Sequence, residues 1–78
     1  MNINDTNKYH KFVIQLRNAR LDSSYTQSDV STLLGKPQSY VSKCESGERR
    51  VDLIELVKFA KIYKKDIYYF IEKKDQNG

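Results

Sequence analysis

Gly35 and Pro37 constrain this chain more than any other pair of residues, because they keep the apolar stretches on either side from joining into one helix. Glycine reaches the positive φ angles with which helices often end, and proline disfavours the helical conformation in the residue before it, here Lys36. The sequence therefore predicts two short helices separated by a tight turn, at the centre of residues 26–50.

The first of these two helices has a recognisable start. Thr26 is a hydroxyl N-cap, Asp29 three residues later completes a capping box, and Tyr25 provides an apolar lead-in. We therefore expect the helix to begin at Gln27 and to end at Gly35. Its inward face is expected to hold Val30, Leu33 and Leu34.

The second helix is expected to start with Pro37 at the first helical position, where a missing N–H costs nothing, and to run to Glu45. Val41 and Cys44 would face inward, and the outward side chains would be Gln38, Ser39, Ser42 and Lys43. Amides, hydroxyls and a lysine suit the major groove of DNA, although many solvated helices are equally polar. The preceding turn, the helix lengths and the following basic loop favour DNA binding.

Composition and length narrow the remaining possibilities. The 78 residues suffice for one small domain, and 14 basic against 10 acidic residues leave a net charge of +4, which favours a polyanionic partner. Cys44 is the single cysteine, so an intramolecular disulfide and a cysteine-based zinc site are excluded. No apolar run is long enough to span a membrane, and no secretory signal is present, so we expect a cytoplasmic protein.

Three further helices are expected around the central pair. The first starts near Asn7 with an apolar stripe, the fourth follows an Asp52–Glu55 capping box, and a short fifth follows Asp66. The predicted domain covers residues 7–72, with flexible ends at 1–6 and 73–78. The stripes are Tyr9, Phe12, Val13, Leu16 and Ala19 in the first helix, and Leu53, Leu56, Phe59 or Ala60, and Tyr63 in the fourth.

Two surface groups allow alternative interpretations. Four lysines lie in the fourth helix or just after it: Lys58, Lys61, Lys64 and Lys65. They would form a solvated surface, which is the favoured interpretation, or a positively charged surface that faces DNA. The run after Asp66 is too apolar for one helix stripe, so part of it would contact a partner, or its tyrosines would lie in water. The dimer interface predicted from this run consists of Tyr68, Tyr69, Phe70 and Ile71, although Phe70 and Ile71 also suit the core of the monomer.

Together these features resemble the Cro/cI-type (XRE-like) helix-turn-helix domains, a group that includes phage repressors and small restriction-modification controllers. The resemblance covers about residues 9–71 and implies an all-α, compact five-helix, lambda-repressor-like bundle with the helix-turn-helix at helices 2 and 3. The matching residues are Arg20, Tyr25-Thr26-Gln27, Leu33-Leu34-Gly35, Gln38-Ser39-Tyr40-Val41-Ser42-Lys43, Glu45-Ser46-Gly47-Glu48-Arg49-Arg50, Leu56 and Ala60.

The resemblance also implies roles for individual residues. Arg20 and Glu45 would form a partly buried structural ion pair. The residues implied to contact DNA bases are Gln38, Ser39, Ser42 and Lys43. Those implied to contact phosphates are Gln27, Lys36, Tyr40, Ser46, Arg49 and Arg50.

The function expected from the resemblance is a sequence-specific, double-stranded-DNA-binding transcription regulator, a homodimeric repressor on a palindromic operator. The alternative is an antitoxin-like protein-interaction module with the same fold. Because the chain ends soon after the fifth helix, we expect no ligand-sensing domain. Catalysis is not expected, since the lone His10 has no recognisable nucleophile partner, and no cofactor, metal, membrane or small-molecule substrate is predicted.

Overall fold

The computed structural model describes residues 3–71, with side chains from residue 7 onward. In this part of the chain the structure is all-α, as predicted, and contains no strand. The elements are α1 (Ile3–Asp22), α2 (Gln27–Leu34), α3 (Gln38–Ser46), α4 (Leu53–Tyr63) and a final 3₁₀ turn (Ile67–Tyr69). The expected bundle of five α-helices is therefore wrong in its count, because the fifth element is a single 3₁₀ turn.

Helix α1 begins four residues earlier than the expected start at Asn7. Residues 3–6 contain neither glycine nor proline, so nothing in the backbone prevents the helix from extending through them. The predicted flexible end at 73–78 and the predicted domain boundary at residue 72 lie outside the described residues.

Helix α2 starts and ends as its sequence predicts. The Thr26 hydroxyl accepts a hydrogen bond from the Asp29 amide at 3.0 Å, and the Asp29 carboxylate accepts one from the Thr26 amide at 2.9 Å. Gly35 ends the helix with φ 68°, and the amide of Lys36 donates to the Ser31 carbonyl at 2.9 Å. This closing geometry satisfies carbonyls at the helix end and fixes the direction of the turn into α3.

Helix α3 begins one residue later than predicted. Pro37 is the N-cap, with φ −63° and ψ 153°, and Gln38 is the first helical residue. The proline ring fixes φ at a value that helix and extended chain share, but it leaves ψ free to remain extended. The last helical residue is Ser46, one residue beyond the predicted end at Glu45, and Gly47 follows it as the C-cap with φ 83°.

The core lies between the four helices, and the chain at the final 3₁₀ turn covers one side of it. Its buried members are Leu16, Ala19, Val30, Val41, Cys44, Leu56, Phe59, Ala60, Tyr63 and Phe70. Three residues predicted to face inward are largely exposed: Leu33, Leu53 and Ile71. Helical spacing places Leu33 and Leu53 on an apolar stripe of which the short helices bury only the centre, whereas Ile71 follows the 3₁₀ turn and is not helical.

The chain after α4 turns sharply and packs back on α1. Lys64 adopts φ 55°, and the Asp66 carboxylate caps the 3₁₀ turn by accepting from the Tyr68 amide at 2.8 Å. Phe70 anchors this turn, with its ring centroid 6.5 Å from that of Phe12. The β-branched and aromatic residues at 67–70 have weak helix propensity. The burial of Phe70, more than helix formation, therefore determines how the chain runs here, and only a 3₁₀ turn forms.

No helix in the described part of the chain has both the length and the apolar character required to cross a membrane.

Candidate nucleic-acid interface

The outer face of α3 is polar and open to solvent. Gln38, Ser39, Ser42 and Lys43 are all exposed. The opposite face is fixed by Val41 and Cys44, which are fully buried. Because that buried face cannot rotate without opening the core, the four polar side chains are held on one side of the molecule.

A buried ion pair ties α3 to α1. Arg20 donates from Nε to Glu45 Oε2 at 2.7 Å and from Nη2 to Glu45 Oε1 at 3.1 Å. Its Nη1 donates to the Tyr25 carbonyl at 2.9 Å, so the same guanidinium also fixes the loop before α2. The hydrogen bonds to Glu45 raise the pKa of Arg20 above its ordinary value. The predicted structural pair is thus present, and it sets the position of the C-terminal end of α3.

Gln27 joins this ion pair from the first turn of α2. Its Nε2 donates to Glu45 Oε1 at 3.1 Å, a contact that the sequence analysis did not foresee. An amide nitrogen carries two N–H donors, and this contact uses one of them. Gln27 therefore links the α2 N-terminus to the C-terminal part of α3.

Arg49 lies in the loop after α3 and is paired within the protein. Its Nη2 lies 2.8 Å from Glu55 Oε2, and its Nη1 donates to Glu55 Oε1 and to the Arg50 carbonyl, each at 3.0 Å. Its guanidinium also stands 4.7 Å from the centroid of the Tyr40 ring. The hydrogen bond from Arg49 is the main cause that lowers the pKa of Glu55 to about 2.

Tyr40 belongs to the same cluster. Its hydroxyl donates to Glu55 Oε2 at 2.9 Å, and its ring stacks on buried Phe59 with centroids 6.4 Å apart. Burial, followed by the hydrogen bond to Glu55, raises the pKa of the phenol above its ordinary range. The structure therefore engages the Tyr40 hydroxyl in an internal hydrogen bond, in contrast to the phosphate contact that the sequence implied.

Arg50 is exposed on the α1 side of the same loop. Its guanidinium lies 4.2 Å from the centroid of the Tyr9 ring. The Tyr9 hydroxyl accepts from the Val51 amide at 3.0 Å and donates to the Arg49 carbonyl at 3.5 Å, which pins the loop to α1. The helical spacing of Tyr9 predicts a core residue alone, because local sequence does not reveal a contact that spans 40 residues.

The two remaining predicted phosphate contacts flank α3. Lys36 is exposed in the turn before the helix, with its ammonium 5.4 Å from the centroid of the Tyr40 ring. Ser46 is exposed at the other end, where its hydroxyl donates to the Lys43 carbonyl and accepts from the Glu48 amide. The turn before α3 therefore carries a cation that suits a phosphate contact, whereas the hydroxyl hydrogen of Ser46, like that of Tyr40, is donated within the protein.

A groove lies at the end of the molecule formed by α1 and the last described residues. It encloses about 500 Å³ and is lined by Lys11, Ile14, Gln15, Tyr68, Tyr69, Phe70 and Ile71. Tyr68, Ile71 and Ile14 are largely exposed, whereas Phe70 is only 1% exposed. Phe70 therefore packs inside the monomer. Its burial agrees with the prediction of a core residue and contradicts the prediction of an interface residue.

The geometry of the groove is fixed by polar contacts behind it. Gln15 Nε2 donates to the Tyr69 carbonyl at 3.1 Å, and the Tyr69 hydroxyl lies 3.4 Å from Asp22 Oδ2. Lys65 approaches the same carboxylate at 3.4 Å and stands 4.6 Å from the centroid of the Tyr69 ring. Tyr69 is thus half-buried and bonded to α1. Tyr68 and Ile71 are the exposed apolar side chains at the end of the described chain.

Cys44 is a buried, free thiol. Burial is the main cause that raises the pKa of the Cys44 thiol. Across the residues that the structure describes, no three histidine, cysteine, aspartate or glutamate side chains are grouped as ligands for an ion.

Both the sequence and the structure of the chain are similar to those of known helix-turn-helix proteins. A helix-turn-helix family model matches residues 16–70, which is well over half of the chain. The chain belongs to the XRE-like helix-turn-helix family. Its structure is similar to that of an XRE-family like protein from Pseudomonas syringae pv. tomato str. DC3000, with a TM-score of 0.79, 36% sequence identity, and coverage of 85% of this chain and 80% of that one. No curated protein sequence shows significant similarity to this chain.

XRE-like helix-turn-helix proteins are DNA-binding regulators and are generally not enzymes. In this XRE-like chain, α2 and α3 are the two helices of the motif, and α3 occupies the place of the recognition helix.

Proposed function

We propose that this chain is a sequence-specific transcription regulator that binds double-stranded DNA as a homodimer on a palindromic operator and represses transcription by blocking polymerase. The observation that carries the proposal is the exposed polar face of α3, held rigid from behind by its buried face and by the Arg20–Glu45 pair. A helix presented in this way can enter the major groove without reorganisation of the protein.

Four side chains would read the bases. Gln38 can form a bidentate pair with adenine, and Lys43 can donate to the acceptors of guanine. Ser39 and Ser42 can donate to or accept from either kind of base edge. Since all four are exposed on one helix, they would address neighbouring base pairs of one half-site.

Phosphate contacts would surround this face. The N-terminal end of α2 offers backbone N–H groups together with one N–H of Gln27, and Lys36 and Arg50 flank α3. Ser46 would join them by turning its hydroxyl from the Lys43 carbonyl to a phosphate. The net charge of +4 adds a non-specific attraction to DNA that weakens with salt.

Selection of bound sequences from a pool of random duplexes tests this function. The proposal predicts an enriched inverted repeat whose half-sites are centred about 34 Å apart, one turn of DNA. Enrichment of a single asymmetric site would contradict the dimer, and no enrichment over the starting pool would contradict sequence-specific binding.

The second copy would dock at the groove between α1 and the final 3₁₀ turn. One recognition helix of nine residues reaches few base pairs, so a palindromic site requires two copies, and the groove exposes Ile14, Tyr68 and Ile71 side by side. Sedimentation equilibrium should show a mass near twice 9.2 kDa at high concentration. Ile71→Lys should shift the association toward monomer, whereas Ile54→Lys, an exposed position outside the groove, should leave it unchanged.

The same groove favours the second candidate, an antitoxin-like module that holds another protein. A chain that stays monomeric at all concentrations, and binds no DNA sequence preferentially, would favour that candidate over the dimeric regulator.

A further inference from the structure

We propose that Arg49 is a positioning residue rather than a phosphate contact. With Tyr40 and Glu55 it forms an arginine clamp, which ties α3 to the start of α4 and sets the aim of the recognition helix on DNA. This inference rests on the proposed function, because it concerns how the same α3 face is held.

The first support is the occupancy of the Arg49 guanidinium. Both carboxylate oxygens of Glu55 and the Arg50 carbonyl lie 2.8 to 3.0 Å from its Nη atoms. Nη1 carries two hydrogens, and both are donated in these contacts. The N–H groups of Arg49 that these contacts leave over lie beside the Glu55 carboxylate, which repels a phosphate, so a phosphate would bind there weakly or would have to displace Glu55.

The second support is that Glu55 is itself fixed. Its Oε1 accepts from the Asp52 amide at 2.9 Å, and its own amide donates to Asp52 Oδ1 at 2.8 Å, which completes the capping box of α4. Glu55 therefore cannot follow Arg49 toward DNA without uncapping α4. The acid belongs to the scaffold and holds the arginine.

The third support is the position of Tyr40 within α3. Tyr40 lies between Ser39 and Ser42, two of the proposed base-reading residues, yet its hydroxyl donates to Glu55 and its ring faces the Arg49 guanidinium. The arginine clamp thus contacts the recognition helix between two of its proposed base-reading residues. The Arg20–Glu45 pair holds the C-terminal part of the same helix, so the two contacts together define its orientation.

The clamp and a phosphate contact predict opposite effects for Glu55→Gln. If Arg49 contacts a phosphate, removal of the acid frees the arginine and reduces repulsion, so affinity for all DNA rises. If Arg49 positions α3, removal of the acid loosens the helix, so affinity for the selected sequence falls. Glu48→Gln is the matched control, because Glu48 is an exposed acid of the same loop and its replacement changes the net charge equally.

The test measures affinity for the selected duplex and for a scrambled duplex at several salt concentrations. We expect Glu55→Gln to lose about fivefold to tenfold on the selected duplex relative to the Glu48→Gln control, and Arg49→Gln to lose a similar amount relative to the wild type. The dependence of log affinity on log salt for Arg49→Gln should keep the wild-type slope. Arg50→Gln, as the loop's phosphate contact, should flatten that slope by about 0.9.

A flattening of about 0.9 for Arg49→Gln, or a selected-duplex affinity of Glu55→Gln at or above that of Glu48→Gln, would overturn the clamp. Circular dichroism at the assay temperature shows whether Glu55→Gln is folded. If it is not, Tyr40→Phe carries the test, since it removes only the hydroxyl that bonds Glu55. That variant should lose affinity on the selected duplex alone, and an equal loss on both duplexes would make Tyr40 a phosphate contact.

The proposed function and the clamp fail in different ways. Wild-type protein that shows no preference for any duplex removes the function itself. Wild-type protein with a clear preference, combined with a phosphate-like salt slope for Arg49, removes the clamp alone.

Discussion

Arg20 and Glu45 meet in a two-point ion pair, at 2.7 and 3.1 Å, with side chains that are only 10% and 4% exposed. They are 25 residues apart in the sequence, on α1 and near the end of α3. The pair therefore joins α1 to the recognition helix at a point that is largely shielded from water.

Removal of one partner of this pair should be costly. Arg20→Met leaves the Glu45 carboxylate buried with the Gln27 amide as its one side-chain partner among the described residues, so the free energy of unfolding should fall by about 3 to 5 kcal/mol. Arg20→Met combined with Glu45→Leu removes both charges and should recover much of that loss. Urea unfolding at neutral pH measures both values, and a single variant as stable as the wild type would show that the pair contributes little.

The Tyr63 hydroxyl should be dispensable. It is buried and has no hydrogen-bond partner among the described residues, and desolvation is the main cause that raises its pKa. A buried polar group without a partner costs free energy, so Tyr63→Phe should be neutral or should stabilise the fold by up to about 1 kcal/mol. Tyr9→Phe is the contrasting variant, because its hydroxyl bonds the loop at Val51 and Arg49 and its loss should destabilise. Equal destabilisation of the two variants in thermal melts would contradict the assignment.

Glu55 should make the fold sensitive to acid. Its pKa is lowered from 4.5 to about 2 in the folded protein, mainly by Arg49, so the folded state binds fewer protons than the unfolded chain. Its contribution is complete above about pH 4.5 and is lost as the pH falls through about 2. The free energy of unfolding of Glu55→Gln should therefore fall less steeply than that of the wild type between these values. Parallel curves for the two proteins would show that Arg49 does not hold this carboxylate.

Much of the fold could be predicted from local sequence chemistry. The capping boxes at Thr26–Asp29 and Asp52–Glu55 require residues only three positions apart, and each starts its helix as expected. Gly35 likewise ends α2 where its conformational freedom predicts. The start of α3 was misplaced by one residue, because Pro37 fixes φ and leaves ψ to the preceding turn.

The parts of the site that sequence could not predict depend on contacts between distant residues. Glu55 was identified only as a cap, since its pairing with Tyr40 and Arg49 exists only once the loop after α3 folds back on α4. The position of Arg49 in the basic loop predicts a phosphate contact, because its pairing with Glu55 is likewise visible only in the folded chain. Leu33 and Leu53 were expected inside because helical spacing identifies a face but does not show how wide a strip the neighbouring helices cover.

The central claim is that the exposed face of α3 reads base edges, and Lys43→Ala tests it most directly. Affinity should be measured on the selected duplex and on a scrambled duplex of equal length, with Lys61→Ala, at an exposed position of α4, as the charge-matched control. We predict a loss of about 1 to 3 kcal/mol on the selected duplex beyond that of the control, and nearly unchanged affinity for the scrambled duplex. An equal loss on both duplexes would make Lys43 a phosphate contact and would contradict base reading by this face.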